Sequence, residues 1–130
     1  MKFMLLMNYH VEGVEPITDW APEDVKAHME FQDDFYQRLT ESGELVDAQG
    51  LAWPDAAKKV VKKDGPAVVT DGPFAESKEF LAGYWIIDVE SVERALEVAA
   101  EASAAPGPQG KPLGQEIQVR EIMSAPPVEQ

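Results

Sequence analysis

His28 and Gln32 stand one helical turn apart in a stretch whose apolar residues, Val25, Met29, Phe35, Tyr36 and Leu39, recur at helical spacing. At about 100° per residue both polar side chains fall inside the apolar stripe rather than on a solvated face. A histidine placed there has two readings. It is a core group hydrogen-bonded to Gln32 or to a backbone carbonyl, or it faces a wet cavity and moves protons as a general acid or base. A second polar residue on the same stripe favours the cavity.

A second concentration of chemistry lies in VVTDGPFAESKEFLAGYW, residues 68 to 85, where Asp71, Glu76, Lys78 and Glu79 separate two hydrophobic segments around Gly72-Pro73. Pro73 has no N–H, so Asp71 lacks the usual turn-closing bond two residues on. Its carboxylate must reach Phe74 or beyond, or a partner outside the turn. Either Asp71 closes the turn while Phe74 plugs the core, or the turn brings Asp71 to His28 as its orienting partner and sets Glu76 and Glu79 at a pocket rim. The two glutamates meet only if their segment is helical.

Arg120, on the last apolar strand, is a candidate contact for an anionic substrate; with 24 acidic residues against 11 basic ones, pairing with an acid is the simpler role. His10, Glu12 and Glu15 share a loop without fixed ligand spacing, so no metal site is expected. With no glycine-rich phosphate loop and no nucleophile elbow, no cofactor is expected either.

The chain has 130 residues, 45% of them hydrophobic, enough for one packed core. A net charge of -13 repels phosphate backbones and anionic lipid, so direct nucleic-acid binding and membrane association are not expected. The one basic cluster, Lys58, Lys59, Lys62 and Lys63, reads as the solvent face of a hairpin. The absence of cysteine excludes disulfides and thiolate chemistry and fits a reducing, cytoplasmic location. MKFMLLMNYH breaks at Asn8 and does not read as a signal peptide.

The elements that must position these groups follow from pattern. Residues 2 to 9 alternate as a strand with apolar groups on both faces. Pro22 opens a helix running to about Ser42, with Gly43 as its stop. Residues 44 to 52 are extended, and Asp64-Gly65 lies between two valine-rich runs that form a hairpin. Residues 80 to 89 are a strand, and Ser91 caps a second helix with Val92, Ala95, Leu96 and Ala99 on its apolar side. A loop over 105 to 114 leads to a last strand over 115 to 122. One domain over 1 to 124 and a flexible tail over 125 to 130 result. The class is α+β, an antiparallel sheet with two helices on one face. Phe3, Tyr84, Ile86, Val119 and their strand neighbours leave apolar groups on both sides of the sheet; two helices cover only one, so the other calls for a cover, and a second copy is the simplest one.

TDGPFAESKEFLAGYWIIDV resembles the signature of the YCII-related, DGPF-domain proteins, supported by MKFMLLMNY, SGELVDAQGL, SVERALEVAA and IQVREIM. The resemblance covers nearly the whole chain. It implies a ferredoxin-like dimeric α+β barrel and a homodimer. It also implies, in some relatives, a small enzyme using a His–Asp pair, and in others an association with sigma factors. The family's histidine also lies on the first helix, though closer to the helix-ending glycine than His28 is. The reading that results is a homodimer with a small-molecule site and cofactor-free acid–base chemistry, His28 and Asp71 being catalytic and Gln32, Glu76, Glu79 and Arg120 binding. The alternative is a non-catalytic binding or regulatory module, associated with a sigma factor.

Overall fold

A computed structural model describes residues 1–8, 11–72 and 81–123. Strand β1 (Lys2–Asn8) leads to helix α1 (Pro22–Glu41), then to β2 (Leu45–Gly50), a hairpin of β3 (Lys58–Val61) and β4 (Val68–Asp71), β5 (Leu81–Asp88), α2 (Val92–Ser103) and β6 (Ile117–Glu121). The main sheet has the order β2-β5-β1-β6, every described pairing antiparallel. With its two helices this is the expected α+β class, consistent with a ferredoxin-like topology. The expected tail, residues 125 to 130, lies outside the described residues, as do Glu76, Lys78, Glu79 and His10.

Alternation along the strands decides what is buried. Phe3, Leu5, Trp85 and Ile87 point to the helices and form one core with Phe35 and Leu39 of α1 and Ala95, Val98, Ala99 and Ala102 of α2. Both helices therefore cover the same face. Phe35 anchors α1, its ring 5.7 Å from that of Trp85 in an edge-on contact. On the other face Met4 pairs with Ile86 and Arg120, and Leu6 pairs with Tyr84 and Gln118. Within one chain Met4, Leu6, Tyr84 and Ile86 are only half-buried.

Two helix faces differ from the sequence expectation. On α1, Met29 and Tyr36 are about half exposed although they belong to the apolar stripe. On α2 the buried row is Ala95, Val98, Ala99 and Ala102, whereas Val92 and Leu96 lie in solvent. A run of alanines lets the helix sit close to the sheet, and close approach selects the small row over the larger leucine. The Ser91 cap is as expected, accepting from the Arg94 backbone N–H at 3.1 Å. Gly43 takes the left-handed conformation that stops α1, with φ of 79°. The hairpin forms where Asp64-Gly65 predicts it, its connection spanning 62 to 67 rather than two residues. All of β3 and β4 is solvent-exposed, in keeping with the lysine cluster.

Arg94 ties α2 to the start of β2. Its Nε donates to one Glu44 oxygen at 2.8 Å and its Nη2 to the other at 2.9 Å. This two-pronged bond, then the Ser42 hydroxyl, holds the Glu44 carboxyl below its ordinary value of 4.5, against the opposing effect of burial. A depressed folded value contributes stability that is present above 4.5 and lost as pH falls through the lower, folded value. Glu44→Gln is expected to cost about 1 kcal/mol at neutral pH, the scale of a partly exposed pair with good geometry. Urea unfolding at several pH values should show the gap between wild type and variant closing below pH 4.5. A gap independent of pH would assign the loss to packing.

Candidate functional site

The end of the sheet under the first turns of α1 is built from small residues. Gly50, Gly83 and Met7 lie side by side across three strands, on the face that meets the helices. Two adjacent glycines leave the sheet floor without side chains where the rest of that face carries Leu5, Trp85 and Ala48. Gly83 is also required locally, because a Cβ there would stand 2.8 Å from the Gln49 carbonyl oxygen. The gap is not filled from above. It forms a cavity of about 390 Å³ walled by His28, Gln32, Met29 and Tyr36 of α1. The half-exposed part of the α1 stripe is the wall of this cavity.

A second cavity, of about 500 Å³, adjoins the first at Met7, Ile17 and His28. The segment before α1 supplies Val11, Val14, Glu15, Pro16, Ile17 and Trp20; the far side is made by Trp53, Ala82, Leu113 and Gln115. The size is that of a site for a small organic molecule, and the walls are mainly apolar with a few polar groups. Pro22 at the first position of α1 fixes where this segment gives way to helix. Trp20 is held by its own indole N–H, which donates to the Glu15 carbonyl at 2.8 Å. Its ring meets the His28 imidazole edge-on, with centroids 5.5 Å apart.

His28 stands at the junction of the two cavities. Its Nδ1 lies 3.0 Å from the Pro106 carbonyl oxygen. A carbonyl only accepts, so Nδ1 carries the hydrogen and donates. In the neutral ring Nε2 is then the lone-pair nitrogen, and the Gln32 amide donates to it across 3.4 Å, a long bond. Pro106 is fixed by its loop, where the Gly107 N–H donates to Lys111 at 2.7 Å and the Leu113 N–H to Ala105 at 2.9 Å. The arrangement orients the ring through one nitrogen and leaves the other for a second partner.

His28 and Gln32 are brought together as the helical spacing implies. Asp71 ends β4 and is exposed, its carboxylate 2.5 Å from Lys58 Nζ across the hairpin, and it lines neither cavity. Arg120 pairs with Met4 on the face away from the helices. Glu76 and Glu79 lie outside the described residues. Sequence reasoning missed Trp20, Ile17, Gly83 and Trp53. The glycine inside the 80 to 89 strand was the legible signal among them, since a glycine in a strand marks a close approach or a gap.

The YCII-related domain model matches residues 1–109. The chain belongs to the YCII-related family. It is similar to an uncharacterised protein of Rhizobium meliloti (strain 1021), 34% identical over 86 residues, 66% of this chain and 69% of the relative. The matched span includes α1 with His28, the segment that carries Trp20, and Pro106. The family's sequence pattern therefore extends over both partners of the His28 hydrogen bond. No helix among the described residues is long and apolar enough to cross a membrane.

Proposed function

We propose that this YCII-related protein is a homodimer that binds a small molecule in the cavity beside His28 and transfers a proton to or from it without a cofactor. The observation that carries the reading is the hydrogen bonding of His28. Donation from Nδ1 to Pro106 makes Nε2 the basic nitrogen at a cavity of molecular size. Nε2 would take the proton and return it, and Gln32 would hold the reacting group through its amide. This reading gives no part to Asp71, which is paired with Lys58 across the hairpin, or to Arg120, which is in register with Met4 on the opposite face. The Pro106 carbonyl takes the orienting role that a carboxylate would otherwise fill. Dimerisation would cover Met4, Leu6, Tyr84 and Ile86, on the face opposite the cavity.

His28→Ala tests the site against the alternative of a core histidine. At a wet cavity, water replaces the lost hydrogen bonds and unfolding stability should fall by less than about 1 kcal/mol. A buried histidine network leaves the Pro106 carbonyl and the Gln32 amide unsatisfied, each costing about 1–3 kcal/mol. A loss of several kcal/mol in urea unfolding would place His28 in the core and remove the proton-transfer reading.

A further inference from the structure

The larger cavity has a charge character of its own. None of its described wall residues is a lysine or an arginine, one of them is Glu15, and the chain around it carries a net charge of -13. A carboxylate entering it would leave water without a lysine or arginine partner among the described wall residues, in a field of its own sign. Arg120, the residue that sequence reasoning offered to an anion, is on the other face of the sheet. The walls that do exist, Val11, Val14, Ile17, Trp20, Trp53 and Leu113, reward apolar surface.

At the junction of this cavity with the smaller one, which Gln32 lines, the polar groups are equally restrictive. Nε2 of neutral His28 accepts one hydrogen bond, and the Gln32 amide that now reaches it donates across a long 3.4 Å. A hydroxyl satisfies both, donating to Nε2 and accepting from Gln32. A ketone or an ester only accepts and leaves Nε2 unpaired, while a carboxylate meets no lysine or arginine among the described wall residues and pairs there only if the His28 ring first takes up a proton.

We infer that the site selects an uncharged, mainly apolar molecule carrying a hydroxyl and rejects the carboxylate of the same shape. The inference rests on the proposal that this cavity is the ligand site, and it goes further by fixing the ligand's charge and its reacting group.

The probes are 2-naphthylmethanol and 2-naphthoate, which share a ring system and differ in charge. Binding is read at pH 7 from the indole N–H signals of Trp20 and Trp53 in 15N-labelled protein. The alcohol is expected to shift both signals and to bind at least tenfold more tightly than the carboxylate. Val14→Lys, which adds a cation to the wall at a loop position, should shrink that ratio by raising the affinity for naphthoate. Equal or tighter binding of naphthoate to the wild type would overturn the charge selection while leaving the cavity as a ligand site. A ratio unchanged by Val14→Lys would likewise overturn it. If neither probe moves either indole, the cavity is not a ligand site, and both readings fall.

Discussion

Phe35→Ala is expected to remove about 3–5 kcal/mol of folding stability, the range for deleting a fully buried aromatic ring. Phe35 is completely buried, stacks on Phe31 at 5.8 Å and meets Trp85 edge-on. It is the contact that seats α1 on the sheet, and α1 carries His28 two turns away. Against a total of about 5–15 kcal/mol for a domain, such a loss threatens the fold itself. Tyr36→Ala and Met29→Ala, on the same helix, should each cost no more than about 1 kcal/mol, because both side chains are about half exposed. Urea unfolding of the three variants measures the contrast. Similar losses at all three would mean that α1 sits on the sheet differently.

Ile86→Asp is expected to convert the proposed dimer into monomers. Ile86 pairs with Met4 and Asp47 on the face that the helices leave uncovered. If that face is a two-fold interface of obligate type, about 2,000 Å² or more in total, Ile86 enters it twice. Each new carboxylate would be desolvated at the position paired with Asp47, costing several kcal/mol, and the dissociation constant should weaken by at least about a thousandfold. Light scattering at micromolar concentration should report a dimer for the wild type and a monomer for the variant. A wild-type monomer under those conditions would remove the dimer from the account.

Much of this fold was legible because its elements are locally self-consistent. Pro22, Gly43 and Ser91 mark helix ends by their own backbone and side-chain chemistry, and each stands where the structure uses it. Strand faces followed from alternation, which a single register fixes. The buried row of α2 was not legible. Leu96 is the better hydrophobe, yet the distance between helix and sheet admits alanine there, and that distance is a tertiary property. His28 and Gln32 were found because helical spacing is local. The two cavities beside them were not, since the smaller arises from Gly50 and Gly83 meeting in register from strands 33 residues apart in number and the larger from the segment before α1, which sets Trp20 against His28. The Asp71 partnership failed to appear for the same reason. A diagnostic motif says nothing of distance, and Asp71 pairs instead with Lys58, directly across the hairpin.

The central claim is that His28 is oriented through Nδ1 and presents Nε2 to a ligand. Nitrogen-15 NMR of the imidazole tests it directly, because the two ring nitrogens resonate differently when protonated and when not. At a pH where the ring is neutral, the account predicts the Nδ1–H tautomer, with the Nε2 resonance moving when 2-naphthylmethanol is added and Nδ1 keeping its hydrogen. An Nε2–H tautomer, or an Nε2 resonance indifferent to the probe at saturating concentration, would contradict it.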